Sequence, residues 1–204
     1  MDFMQVLKKH FQFMGTNDVL PLGVARRRRR QDGRMLLARM MNDLGFRVGA
    51  EIGTRYGASA KLWCENMPGL KLSCIDPYNA YRTRKSQEQQ DAVFEAAKQA
   101  LAPFDVTFVR ESSLTAASRF EDGSLDFVHI DGDHAFDMVM QDILNFVPKV
   151  RKGGMVLVHD YLSFYQAGVI QAVDAYTACH IINPWFVTRD ELPTAFWQRG
   201  AERA

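Results

Sequence analysis

The feature that most constrains this chain is a change of hydrophobic period at Phe46. Beyond it, short apolar runs bounded by turn residues alternate with longer helical patterns. Arg47 to Ile52 reads as a strand and Gly57 to Asn66 as a helix. Lys71 to Ile75 is a strand stopped by Asp76-Pro77, and Gln87 to Leu101 is a helix. Asp105 to Val109 and Leu125 to Ile130 are strands, Ala135 to Val150 a helix, Met155 to Val158 a strand, and Ser163 to Cys179 a helix. Two last strands, Trp185 to Thr188 and Thr194 to Trp197, are joined by a connection of hairpin length. Strands separated by helices need right-handed crossovers, so the sheet is mostly parallel, with the terminal hairpin adding an antiparallel edge. The expected class is α/β, an open sandwich.

Residues 1–45 read differently. Phe3, Leu7, Phe11 and Met14 fall at helical spacing, Gly15 to Gly23 breaks that pattern, and a second helical pattern runs from Arg34 through Met41 to Leu44. The sequence therefore predicts an N-terminal helical leader (1–45), acting as a lid or dimerising, ahead of a single catalytic-sized domain (46–204). Length agrees, since 204 residues suffice for one domain with a full core.

Charge is uneven. Residues 1–40 hold nine Lys/Arg against three Asp, whereas the remainder is net acidic, and the whole chain carries +1. The run Arg26 to Arg30 raises a nucleic-acid reading, RNA binding or modification, against a plain solvated leader. No RNA-binding motif accompanies it. The three cysteines are too few and odd in number for a disulfide framework, which suits the cytoplasm. No apolar stretch approaches the ~20 residues of a membrane span, so no membrane partner is expected.

In such sheets the ligand sits beyond the carboxyl ends of the strands, where the strand order reverses. The first strand runs into Glu51-Ile-Gly-Thr-Arg-Tyr-Gly57. Gly53 allows a tight turn, and Gly57 opens a helix whose N-terminal amides would meet the ligand. Asp76, at the end of the second strand, can accept bonds from ribose hydroxyls. The spacing is not the G-x-G-x-x-G dinucleotide fingerprint, which argues against a nicotinamide dehydrogenase. Glu51, an acid at the turn, suits an amine-bearing ligand better than a pyrophosphate.

These residues resemble motifs I and II of class I S-adenosylmethionine-dependent methyltransferases: Glu51 to Gly57, then Cys74-Ile-Asp-Pro-Tyr78. The run His129-Ile-Asp-Gly-Asp-His134, with Lys152 to Tyr161, is similar to the small-molecule O-methyltransferase branch. That branch includes macrocin-type sugar O-methyltransferases and relatives of cephalosporin hydroxylase. The resemblance covers residues 46–198. It implies a Rossmann-like, seven-stranded, mostly parallel sheet with an antiparallel C-terminal strand, and S-adenosylmethionine as cofactor. It also implies that Gly53 lines the methionine end, Glu51 lies near the amino group, Asp76 holds the ribose, Ser112 or Ser113 sits near the adenine, and Asp131 borders the reacting centre.

Asp131, Asp133 and His134 follow one strand, and His159 and Asp160 end the next, so five ionisable groups converge on one loop layer. Carboxylates with imidazole suit Mg²⁺ or another divalent metal. The resemblance implies ligands at Asp131, His159 and Asp160, although relatives more often have an oxygen ligand where this chain has His159. His134 or Asp133 could remove the acceptor's proton, and His134 titrates nearer neutrality. Plainer roles stand beside these: Asp131 and Asp133 as helix caps, His159 and His129 as packed core residues, Tyr161, Tyr165 and Trp197 as core aromatics rather than pocket walls. The expected function is methyl transfer to a small molecule at oxygen. RNA modification and a non-catalytic nucleotide-binding protein of the same fold are the alternatives.

Overall fold

The computed structural model describes residues 2–14, 22–26, 33–80, 86–164 and 167–200. Its strands are β1 (Phe11–Met14), β2 (Leu22–Arg26), β3 (Val48–Ile52), β4 (Lys71–Ile75), β5 (Val106–Val109), β6 (Leu125–Ile130), β7 (Val150–Val158), β8 (Trp185–Thr188) and β9 (Ala195–Gln198). Its α-helices are α1 (Phe3–His10), α2 (Gly33–Asp43), α3 (Ala58–Asn66), α4 (Gln87–Leu101), α5 (Ser113–Ala116), α6 (Phe136–Phe146) and α7 (Val169–Cys179). The strands form one sheet in the order β1-β2-β8-β9-β7-β6-β3-β4-β5.

The seven strands expected from the sequence are β3 to β9. Strands β3, β4, β5, β6 and β7 pair in parallel, while β9 runs antiparallel to both β7 and β8. The leader adds something the sequence reading does not contain. Its two extended segments lengthen the sheet, β2 pairing in parallel with β8 and β1 closing antiparallel against β2.

Side-chain alternation along the strands sorts the core into two layers. On one face Phe127, Leu157, Phe186 and Phe196 meet α1, α2 and α3 through Val6, Leu7, Leu37, Met40 and Trp63. On the other, Val128, Val158 and Trp197 meet α6 and α7 through Val139, Ile143, Phe146, Val173 and Tyr176. Both faces are therefore covered, as a parallel sheet requires. The leader helices are part of this packing, with Val6, Leu7, Leu37, Met40 and Met41 wholly buried. Helix α1 is started by Asp2, whose carboxylate accepts from the Gln5 amide at 3.2 Å, and Lys8, Lys9 and His10 complement its C-terminal dipole.

Candidate active site

The strand order reverses between β3 and β6, and the loops that follow these two strands meet. The Asp131 amide donates to the Ile52 carbonyl at 2.9 Å. Gly53, with φ +87°, lies against the Asp131 backbone so closely that a Cβ there would overlap the Asp131 carbonyl. Only glycine meets both demands. Gly57, at φ +77°, is the N-cap of α3 and offers no side chain to its first-turn amides.

Asp76 holds two loops at once. Its Oδ2 accepts from the Arg55 amide and its Oδ1 from the Tyr78 amide, both at 2.9 Å. Arg55 and Tyr78 each have positive φ, and the Tyr78 hydroxyl donates to the Arg55 carbonyl at 2.9 Å. The carboxylate thus braces two strained residues, and with about four acceptor positions it retains capacity for a ligand's hydroxyls. Ser112 caps the short helix α5 through the Thr115 amide at 3.2 Å. Ser113, next in the chain, bonds Asp142 of α6.

Glu51 is 1% exposed. Its Oε1 accepts from Trp63 Nε1 at 3.2 Å and lies 3.3 Å from His129 Nδ1, while its Oε2 has no hydrogen-bond partner among the described residues. A buried, half-satisfied carboxylate beside the glycine turn is unfavourable unless a donor reaches it, which fits a ligand bearing an ammonium group. His129 sits wholly buried in β6 between Trp63 and His159, a packed position.

The five ionisable groups do converge. His134 Nε2 lies 3.0 Å from Asp160 Oδ2 and 3.9 Å from Asp131 Oδ1. His159 Nδ1 lies 3.2 Å from Asp160 Oδ1 and 3.5 Å from Asp131 Oδ1. The Asp160 carboxylate raises His134 above its ordinary pKa of 6.5. Burial opposes charge on His159, but Asp131 and Asp160 beside it raise its pKa to about 9. The same two imidazoles hold Asp160 well below the usual carboxylate range. Asp160 itself adopts φ +56°, a strained backbone that aims the carboxylate inward. Asp133 differs from its neighbours: its Oδ1 accepts from the Ala135 amide at 2.8 Å, a local turn ahead of α6.

Three of these groups have ligand atoms within 4.8 Å of one another, namely Asp131, His134 and Asp160. The trio includes both carboxylates expected from the sequence and takes His134 where that reading takes His159. His159, 4% exposed, lies beside the same two carboxylates, which favour its protonated form.

Other candidates fall elsewhere. Trp197 is wholly buried and stacks on Tyr176, so it is core. The Tyr161 hydroxyl donates to Asp174 at 2.7 Å and its ring meets Trp185 edge-on. His10 pairs with Asp43 at 2.8 Å, joining α1 to α2. Tyr165 and Arg27 to Arg30 lie outside the described residues. The sequence reading misses Asp142, 5% exposed in α6 and raised to about 6 by burial. A carboxylate inside the apolar stripe Val139, Ile143, Phe146 is the signal that could have found it.

Comparison with known proteins agrees with this geometry. The family described as a methyltransferase domain matches residues 50–161, from β3 past Asp160. The chain belongs to the methyltransferase domain family. Among solved structures this methyltransferase-family chain is similar to the O-methyltransferase TomG of Streptomyces achromogenes, involved in tomaymycin synthesis and determined in complex with S-adenosylmethionine. That likeness has TM-score 0.63 at 16% identity, covering 82% of this chain and 79% of the other. An O-methyltransferase from Bacillus cereus, in complex with S-adenosylhomocysteine, gives TM-score 0.59 at 13% identity over 81% and 80% of the two chains. At such identities the likeness is one of fold. An uncharacterized protein of Sinorhizobium fredii, y4gI, is 30% identical over 118 residues, 54% of this chain. The methyltransferase-family chain spans 12% of that relative's length. No helix among its described residues is long and apolar enough to cross a membrane.

Proposed function

We propose that the chain is an S-adenosylmethionine-dependent methyltransferase that methylates a hydroxyl oxygen of a small-molecule acceptor, with His134 as general base. The observation that carries this reading is the contact between Gly53 and the Asp131 backbone. It joins the glycine turn of a nucleotide crevice directly to the carboxylate–histidine cluster. The solved relatives holding S-adenosylmethionine or S-adenosylhomocysteine support the choice of cofactor.

When bound, S-adenosylmethionine supplies an electrophilic methyl on a sulfonium, so the protein has mainly to align an acceptor and take its proton. Glu51 would receive the ammonium of the methionine end, and the Gly53 backbone would line it. Asp76 would accept from ribose hydroxyls while keeping its amide bonds, and Ser112 and Ser113 would border the adenine. Nε2 of His134 lies 3.0 Å from Asp160 Oδ2, and Nδ1 of the same ring would accept the acceptor's proton. The imidazolium so formed is stabilised by Asp160 and Asp131. Asp133, occupied by the Ala135 amide, is the weaker base candidate.

A second reading has its own observation, the convergence of Asp131, His134 and Asp160. Two carboxylates and an imidazole would hold a divalent cation, which supplies Lewis-acid stabilisation of an alkoxide. His159, within 3.5 Å of both carboxylates, would compete with such an ion for them when protonated. The unpaired cysteines, Cys64, Cys74 and Cys179, fit a reducing compartment.

The test is transfer of labelled methyl from S-adenosylmethionine to a panel of hydroxylated small molecules, with EDTA or with added Mg²⁺ or Mn²⁺. Transfer that persists in EDTA and disappears in His134→Ala supports the base reading. Activity restored only by the ion supports the second. No binding of S-adenosylhomocysteine in calorimetry would overturn both.

A further inference from the structure

At the amino end of the parallel strands, opposite the loops that carry Asp131 and Asp160, lies a cavity of about 260 Å³. Its walls are Val147 and Pro148 after α6, Tyr176 and His180 at the end of α7, Lys152 near the start of β7, and Arg199 just past β9.

Arg199 is held in place by backbone. Its amide donates to the Gly154 carbonyl and its carbonyl accepts from the Gly153 amide, both at 2.8 Å. Its Nη1 donates to the Pro148 carbonyl at 3.0 Å and to the Val150 carbonyl. Nε and Nη2 have no partner among the described residues. Those two nitrogens form an edge of the planar fork that pairs with an oxyanion. Lys152, exposed at the same cavity, likewise has no side-chain partner among the described residues.

Neighbouring groups do not account for these two cations. Lys149 takes Asp122 at 2.8 Å, and Arg151 takes Asp126 at 2.7 Å. The negative end of α7 is closed by its own chain. The carbonyls of Tyr176, Thr177 and Ala178 accept from the amides of His180, Ile182 and Ile181 at 3.0, 2.9 and 3.3 Å. Two positive charges on one cavity, in a chain that is net acidic beyond residue 40, call for an anion from outside. Beside them the walls are apolar and aromatic. The exposed His180 ring lies 4.2 Å from Tyr176, which stacks on Trp197. The volume is near the lower edge of small-molecule pockets, enough for an anionic group with a small body attached.

We propose that this cavity binds a small phosphate monoester, Arg199 and Lys152 holding the phosphate while the body of the ligand packs on Val147, Pro148 and the His180 ring. The site is separate from the methyl-transfer crevice and does not depend on that reading.

Calorimetry on the full chain at low salt tests this with phenyl phosphate, inorganic phosphate, benzoate and phenol. Phenyl phosphate should bind at about 0.1–1 mM, more tightly than inorganic phosphate or benzoate, with phenol bound weakest. Arg199→Gln and Lys152→Gln should each weaken phenyl phosphate by about 10-fold, the scale of a bond to a charged group, and leave S-adenosylhomocysteine binding unchanged. If Arg199→Gln does not fold, having lost the bonds to Pro148 and Val150, Lys152→Gln and Lys152→Glu decide by the same measurement. No binding of phenyl phosphate to the wild-type chain overturns the proposal. So does equal affinity in the variants, or displacement by S-adenosylhomocysteine, since the probe then sits elsewhere. Benzoate bound as tightly as phenyl phosphate overturns the assignment of a phosphate ligand.

Discussion

Asp160 Oδ2 lies 3.0 Å from His134 Nε2, and this pair links the end of β7 to the loop after β6. The carboxylate lifts His134 above 6.5, so more of the ring is protonated at neutrality than in an exposed histidine. A base works unprotonated, so kcat/KM should rise with pH on a limb lying above 6.5. Asp160→Asn removes the charge and should move that limb to lower pH while lowering the plateau. A pH–rate profile of both proteins checks it. A lowered plateau on an unmoved limb would mean that Asp160 only supports the fold.

Gly53 and Gly45 separate two effects of a glycine. Both have positive φ, +87° and +80°, but a Cβ at Gly45 meets nothing within 4 Å while one at Gly53 meets the Asp131 carbonyl. Gly45→Ala should cost only the backbone strain, about 1 kcal/mol. Gly53→Ala adds a collision that pushes the loops after β3 and β6 apart, and should cost roughly 2–4 kcal/mol and abolish S-adenosylhomocysteine binding. Thermal unfolding with and without that ligand distinguishes them: ligand should raise Tm for the first variant and not for the second.

Asp142 makes a prediction about stability and pH. Its folded pKa of about 6 stands above the ordinary 3.8, because burial outweighs the bond from Ser113. The folded state therefore holds this proton harder than the unfolded chain does. The stability it contributes is complete below about pH 4 and is lost as pH rises through 6. Asparagine cannot ionise, so Asp142→Asn should stabilise the protein by about 1–3 kcal/mol at pH 8 and by little at pH 4. Denaturant titrations at the two pH values check this; an equal effect at both would remove ionisation as the cause.

Much of this site is legible in the sequence because its determinants are local. Gly53, Gly57 and Asp76 follow strands whose ends are marked by the change from apolar alternation to turn residues. Asp131 and Asp160 follow β6 and β7 in the same way. What is not legible depends on distant partners. Phe11 continues the helical spacing of Phe3 and Leu7, yet the helix ends at His10 and Phe11 turns extended at φ −122°, ψ 159°. A large apolar residue is buried either way, so periodicity alone cannot locate that boundary. Strand β2 exists through its pairing with β8, more than 160 residues away by its Leu22–Phe186 register. The exchange of His134 for His159 in the convergent trio depends on His159 following β7 inward and on the turn that aims His134 back at Asp160. Arg34 reaches Ser59 through helix packing that no local pattern encodes.

The leader's place in the core gives the last prediction. Leu7 is wholly buried in the same cluster as Trp63, Phe127 and Phe186, on the face of the sheet covered by α3. If the leader and the domain unfold as one unit, Leu7→Ala should lower the stability of the whole chain by about 2–5 kcal/mol, the transfer term plus a cavity. The loss should appear as a shift of a single transition seen alike by tryptophan fluorescence and circular dichroism. All three tryptophans, Trp63, Trp185 and Trp197, lie outside the leader and report on the main sheet. A leader that folds as a separate cap would leave their transition unmoved while part of the helical signal melts early. Coincident shifts would make α1 and α2 structural members of the catalytic domain, and the boundary at residue 45 a change of sequence pattern within one cooperative unit.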